Sequence, residues 1–330
     1  MKKKINIKII IAFLLFEGIF TSIVVPFYTF YGPFTKVRDM LVASSMSTGN
    51  YQFVAKMFFS EQEINNMMKE QNKKDNEESE GPVVAVIKPV AIEYNDVPIE
   101  KIDICTDKFD GIALIVKDPS KVKVGYSSKF GEAGETVSEM ARSYNAIAAV
   151  NGGGYSDVSP TGKTGGTGGT PLGLVISHGE VIFPTEKGKY YEEQSCVFGI
   201  DDKGKMYVGP ASVNTLIEKN VKEAISFAPS LIVNGEPYIS DNSLGGLNPR
   251  TAIGQREDDS IILLVIDGRQ GLKLGATLKD VQNIMLQLEA VNAMCVDGGG
   301  SSAMYYGDEI INNPSSVTGE RAMPDIIYVE

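Results

Sequence analysis

Residues 292–306 read NAMCVDGGGSSAMYY. A short apolar run, Ala293 to Val296, meets Asp297, then Gly298, Gly299 and Gly300, then Ser301 and Ser302. A second strand-like run, Ala303 to Tyr306, follows at once. Glycine is entropically costly to order and contributes no side-chain packing, so three together against an acid need a reason. A nucleotide P-loop requires a lysine and a hydroxyl after its last glycine, opening a helix; here two serines lead into a strand. The dinucleotide fingerprint fails for the same reason, because no helix follows. What remains is a strand–loop–strand element. Its glycines either make a turn, since Asp before Gly is a common turn pair, or let backbone approach a ligand.

The same alternation extends across most of the chain. From Pro82 onward, GIALIVKDP, KVKVGY, AIAAVNGGGY, LGLVISHGEVIF, KMYVGP, PSLIVNGEPYI, SIILLVIDGR and DIIYVE read as strands or hairpins. Two segments read as helices. ETVSEMARSYNA has Thr136 as N-cap with Glu139 three residues on, and TLKDVQNIMLQLEA has Thr277 as N-cap with Asp280 near the positive helix end. Leu278, Val281, Ile284, Met285 and Leu288 form an apolar stripe on the second. Many strands and few helices predict a single α+β domain built on a mixed β-sheet.

The N-terminus differs. Lys2, Lys3, Lys4 and Lys8 precede an apolar stretch from Ile9 to Phe30, interrupted by Glu17. This length suits a spanning helix, and the lysines place the N-terminus in the cytoplasm and the remainder outside the cell. A cleaved signal peptide is the rival reading, but no small-x-small cleavage site is evident near residues 20–30. Residues 35–70 read as polar-amphipathic helix, and NKKDNEESEG (72–81) as a charged linker. The expected organisation is a cytoplasmic tail and transmembrane signal anchor (1–33), a helical stalk and linker (34–81), and the catalytic domain (82–330).

With 31 basic and 42 acidic side chains the net charge is -11, which argues against a nucleic-acid partner held through phosphates. There is one histidine, His178, in a hairpin turn, and three cysteines without metal-ligand spacing. Catalysis must therefore rest on carboxylates, arginines, hydroxyls and backbone amides. Four segments end strand-like runs in such residues: VNGGGY with Asn151, Gly152 and Gly153; NPRTAIG with Arg250 and Thr251; VIDGRQ with Asp267 and Arg269; and VDGGGSS. TGKTGGTGGTPLG (161–173) fits neither nucleotide spacing and reads as a surface loop or lid.

Taken in order, AVNGGGY, PLGLVISHGEVI, NPRTAIG, VIDGRQ, LGATLKDVQNIMLQLEAVNAMCVDGGGSSAMYY and NNPSSVTGERAMPD resemble the phosphodiester glycosidase family over residues 83–330. The anchor and stalk lie outside the resemblance. The family implies hydrolysis of a sugar-1-phosphodiester to free sugar and phosphomonoester; no cofactor is expected. Carried onto this chain, the resemblance implies that Asp297 is the carboxylate nearest the anomeric centre and Asp267 the second carboxylate. Asn151 and Ser301 would orient sugar or water. Arg250, with Arg269, would grip the phosphate bidentately. The amides of Gly152, Gly153, Gly298, Gly299 and Gly300, with Thr251 and Ser302, would line the substrate. The expected partner is a sugar-1-phosphate polymer of the N-acetylglucosamine type in the cell envelope. Two other classes compete: a non-catalytic glycan-binding or exopolysaccharide-assembly protein on the same fold, and a metal-dependent phosphodiesterase with a divalent cation at Asp267 and Asp297. The second lacks the histidines of a typical two-metal site.

Overall fold

The computed structural model describes residues 7–46, 52–74, 86–94, 97–156, 167–186, 189–240, 245–271, 273–316 and 319–330. Residues 161–166 of the expected loop or lid, 161–173, lie outside the described residues. The chain divides into two units, residues 1–75 and 76–330.

The first unit is helical. α1 (Ile7–Tyr31) contains a 19-residue apolar stretch, Phe13–Tyr31, long and apolar enough to cross a bilayer. The stretch expected to be helical comprises α2 (Thr35–Met46), α3 (Gln52–Phe58) and α4 (Glu61–Lys74). The break before α4 is local chemistry. The Ser60 hydroxyl accepts from the Glu63 amide, and the Glu63 carboxylate accepts from the Ser60 N–H at 2.8 Å, a reciprocal cap. Phe30, Val42, Ala55, Phe59 and Ile64 form a small core, in which the Phe30 ring stacks on Phe58 at 4.3 Å.

The second unit holds three sheets. The largest has the spatial order β1 (Val86–Tyr94), β2 (Val97–Cys105), β3 (Asp110–Val116), β14 (Ile261–Ile266), β13 (Arg250–Arg256), β15 (Ala290–Val296), β11 (Ser230–Val233) and β12 (Glu236–Pro237). A second runs β7 (Glu180–Phe183), β6 (Val175–Ser177), β10 (Val221–Ser226), β8 (Ser195–Asp201) and β9 (Met206–Ala211). The third runs β17 (Glu309–Ile310), β16 (Met304–Tyr306), β5 (Ala148–Asn151), β18 (Asp325–Val329) and β4 (Val122–Tyr126). The helices are α5 (Val137–Ser143), α6 (Lys189–Glu192), α7 (Val213–Glu218) and α8 (Leu278–Gln287).

The α+β class holds, but the sheets are not mixed in direction. Every pairing among the described residues is antiparallel. In the large sheet, one crossover shows how this comes about. α8 carries the chain from β14 to β15, but β13 lies between those strands, so they run alike without pairing.

β14, IILLVI, shows why its strand is apolar throughout. Ile261, Leu263 and Val265 face the core shared with the two smaller sheets, while Ile262, Leu264 and Ile266 face a second core under α8. Period-two alternation between two apolar layers leaves no polar side. α8 contributes the expected stripe to that second core. Both expected caps are present as reciprocal boxes, Thr136 with Glu139 and Thr277 with Asp280.

Candidate active site

Antiparallel register creates the site. β13 begins where its neighbours β14 and β15 end, pairing Arg250 with Ile266 and Thr251 with Val296. The NPRT, IDGR and VDGGG segments are thereby brought to one edge of the large sheet. The third sheet adds the end of β5 and the start of β18, where Asn151 pairs with Ile326.

Asn151 ties these pieces together. Its amide nitrogen donates to the Asp297 carbonyl at 2.6 Å. Its side-chain oxygen accepts from the Thr251 hydroxyl at 2.7 Å and the Ala303 amide at 3.2 Å. The side chain is fully buried, so it organises three loops and presents no open face to a substrate. That corrects the expectation that Asn151 orients sugar or water directly. The Thr251 hydroxyl is likewise directed inward.

The two glycine triplets are placed differently, but the expectation that their amides line the substrate is corrected at four positions: Gly152 and Gly153 donate to the Asp325 carbonyl and Oδ1, Gly298 to Asp297 Oδ1, and Gly299 to the Pro249 carbonyl. Gly298, Gly299 and Gly300 are half-buried; Gly299 and Gly300 face the Arg269 and Arg321 side chains, while a Cβ added at Gly298 would lie 3.0 Å from the Pro249 carbonyl oxygen, with Arg250 behind it. An added Cβ at Gly298 would lie 3.9 Å from Arg250 Cδ, at Gly299 3.3 Å from Arg269 Nη2, and at Gly300 3.1 Å from Arg321 Cδ. Gly299 also takes φ +63°, which disfavours a side chain. Arg321 lies over the Tyr155 ring, its guanidinium carbon 5.2 Å from the centroid. Its neighbour Glu320 is fixed by the Ser138 amide and hydroxyl at the start of α5, at 2.8 and 2.6 Å.

Arg250 is a more constrained group than its sequence position implies. Its Nε donates to the Ala276 carbonyl at 3.1 Å, and Nη2 donates to the carbonyls of Gly245 and Gly246 at 2.7 and 2.9 Å. The bidentate Nε–Nη2 edge is therefore occupied by backbone, which corrects the expected fork grip on phosphate. Burial, and to a lesser degree neighbouring Arg269, lower its pKa. Arg269 donates from Nη2 to Asn248 Oδ1 at 2.7 Å.

Asp297 accepts from the Gly298 amide at 2.9 Å, and its own N–H donates to the Gly152 carbonyl at 3.0 Å. Asp267 behaves differently. Its carboxylate accepts from Asn312 Nδ2 at 2.9 Å and from the Asn313 amide at 3.1 Å, and so anchors the 312–313 turn. Burial raises its pKa against those bonds. Asn312 also donates to the Ser302 carbonyl at 3.2 Å, which links this turn to the glycine loop. The Ser301 and Ser302 hydroxyls are buried without a hydrogen-bond partner among the described residues.

A further carboxyl group, absent from the sequence-derived set, stands behind the first triplet. Asp325 opens β18 and is fully buried. Oδ1 accepts from the Gly153 amide at 2.6 Å, and Oδ2 has no partner among the described residues. Burial raises its pKa to about 7, opposed by the Gly153 bond and assisted by Asp297. Arg321 was also missed as a site residue. Both lie in GERAMPD; the available signal for Asp325 was an acid opening an otherwise apolar strand. Among the described residues, no three histidine, cysteine or acidic side chains cluster as metal ligands.

A phosphodiester glycosidase model matches residues 144–330. Over 209 residues the chain is 30% identical to the SPbeta prophage-derived uncharacterized protein YomE of Bacillus subtilis, covering 62% of this chain and 31% of that protein. It is 27% identical over 198 residues to N-acetylglucosamine-1-phosphodiester alpha-N-acetylglucosaminidase of Bos taurus, covering 54% of this chain and 35% of that one. The chain thus spans about a third of the length of these curated relatives. The zebrafish catalytic domain of that enzyme, auto-inhibited by its pro-peptide, shares the fold. The TM-score is 0.57 at 23% identity, covering 77% of this chain and 85% of that one.

Proposed function

The chain belongs to the phosphodiester glycosidase family, and from that membership we propose that it hydrolyses sugar-1-phosphodiesters, with Asp297 at the reacting carbon. The observation that carries this reading is the ring of three arginines around Gly298–Gly300, next to a carboxylate, in a chain of net charge -11. A local concentration of cations in an acidic protein marks an anion site. Glycine at each position keeps a side chain out of the space beside the guanidinium groups, while the Gly298 and Gly299 amides are themselves held by Asp297 Oδ1 and the Pro249 carbonyl.

In this reading the phosphate lies against Gly298–Gly300, with Arg269 and Arg321 beside it and Arg250 as a fixed positive charge. The bond from the anomeric carbon to the bridging oxygen breaks, and the phosphomonoester leaves with the bonding pair. A phosphomonoester is a weakly basic leaving group, so the site needs charge stabilisation more than a strong general acid. The Asp297 carboxylate either attacks the anomeric carbon or takes a proton from the attacking water. Asn151 fixes its backbone, and Asp267 fixes the adjoining turn.

The substrate class we infer is N-acetylglucosamine-1-phosphate in cell-envelope glycans, reached by an extracellular domain tethered through α1. The relatives named for that sugar linkage and the apolar stretch of α1 support it. The test is to incubate the detergent-purified full chain with an N-acetylglucosamine-1-phosphodiester and with UDP-N-acetylglucosamine, and to measure free sugar. Release by the native chain, with a loss of at least about a thousandfold in a folded Asp297→Asn variant, is expected. Undiminished release by that variant would remove Asp297 from the chemistry. Glycan binding without turnover by the native chain would favour the non-catalytic class.

A further inference from the structure

The catalytic reading needs a partner for Asp297, and Asp267 is engaged elsewhere, holding Asn312 and Asn313. We propose that Asp325 is that partner: a buried carboxyl group that retains a proton behind the Gly152 peptide and keeps Asp297 as the ionised member of the pair. The proposal rests on the hydrolase reading for its catalytic consequence only.

The geometry has three parts. First, one peptide joins the two acids. The Gly152 N–H donates to the Asp325 carbonyl at 3.1 Å, and the Gly152 carbonyl accepts from the Asp297 N–H at 3.0 Å. Second, the Asp325 side chain fills the place of a Gly152 side chain. A Cβ there would fall on Oδ1, so the glycine is required by the acid. Third, a fully buried carboxylate normally gathers several donors, yet Asp325 receives one, from Gly153. With Oδ2 unpartnered among the described residues, the protonated form is the cheaper one to bury.

The groups around it agree. Tyr126 is opposite in register on β4, Asn151 and its neutral neighbours occupy β5, and Asp297 is the acid whose charge acts on it. Burial disfavours the ionised form of Asp325, and the like charge of Asp297 across the Gly152 peptide adds to it, so one proton stays with the pair. The deeper site keeps it, and the half-exposed one remains a carboxylate. Asp325 is therefore a positioning residue that acts through Asp297 and the Gly152–Gly153 backbone. As pH rises through about 7, Asp325 ionises and adds a negative charge behind a site for an anion. Activity should fall over that range.

The test is infrared titration of the protonated-carboxyl band in the full chain, with the Asp325 component identified by its loss in Asp325→Asn. The expected midpoint lies near neutrality in the native chain, set mainly by burial, and drops by a smaller step of about half a pH unit in Asp297→Asn. An unmoved midpoint, or a band already lost by pH 5, would overturn the pairing. This readout needs no turnover, so a coupled band in a chain that cleaves no phosphodiester would support the pair and refute the hydrolase reading. In the pH–rate profile, Asp325→Asn should keep activity at pH 6 within about tenfold and lose the fall above pH 7. Retention of that fall would also overturn the pairing.

Discussion

The two triplets, Gly152–Gly154 and Gly298–Gly300, are alike in sequence and opposite in use. The first is packed against protein: a Cβ would fall on Asp325 Oδ1 at Gly152, 2.7 Å from Ile225 Cγ2 at Gly153, and 3.2 Å from the Phe227 ring at Gly154. The second is half-buried and faces arginine side chains. A glycine run marks where something must come close, but its neighbours decide whether that is the protein's own core or a ligand. One triplet builds the wall of the site, and the other is its floor.

The largest expected effect breaks the first triplet. Gly152→Ala should cost about 3 kcal/mol or more, because fixed backbone and a buried carboxylate leave no room. Thermal unfolding would show this as a lower Tm or as insoluble protein. A stable Gly152→Ala chain would mean that the wall is softer than described. The second triplet should respond in the opposite way. Gly300→Ala meets the flexible stem of Arg321 at 3.1 Å and Ser316 Cβ at 3.7 Å, so the fold should hold within about 1 kcal/mol while phosphodiester cleavage falls.

Arg321→Ala should lower kcat/KM for phosphodiesters by about tenfold to a hundredfold with little change in Tm, if the proposed phosphate contact is made by this side chain. Equal losses on an uncharged aryl glycoside would place Arg321 outside the phosphate site. The pH dependence of stability tests the wall again. The Asp325 pKa is raised to about 7 in the folded chain, so folding holds a proton that the unfolded chain has lost. Stability should therefore be greatest below pH 4, decline between pH 4 and 7 by up to a few kcal/mol from this group, and level off above. Asp325→Asn should flatten that decline and raise Tm at pH 8 relative to the native chain. The smallest effect is expected for Asp267→Asn, about 1 kcal/mol in stability and a few-fold in rate, through a looser 312–313 turn.

This contrast also marks what the sequence could show. Local signals were legible: the Thr136–Glu139 and Thr277–Asp280 caps, the α8 stripe, and the apolar strand β14 are set by neighbours a few residues away. The β1–β2 hairpin was harder to see, because Pro89 interrupts an apolar run and prolines are rare in paired strands. Sheet direction was misread because it depends on β13 lying between β14 and β15. Asp297, Arg250 and Arg269 were named from their motifs. Asp325 was not, because beyond an acid opening an apolar strand its character comes from the burial of β18 and from Gly153, 172 residues earlier in the chain. The Arg250 fork likewise looked free until the carbonyls of Gly245, Gly246 and Ala276 were seen to occupy it.

The most direct test of the central claim is hydrolysis of an N-acetylglucosamine-1-phosphodiester by the full chain in oxygen-18 water. The account expects the label in the released sugar, none in the phosphomonoester, and no release above background by folded Asp297→Asn. Label in the phosphate, or turnover that survives Asp297→Asn, would contradict it.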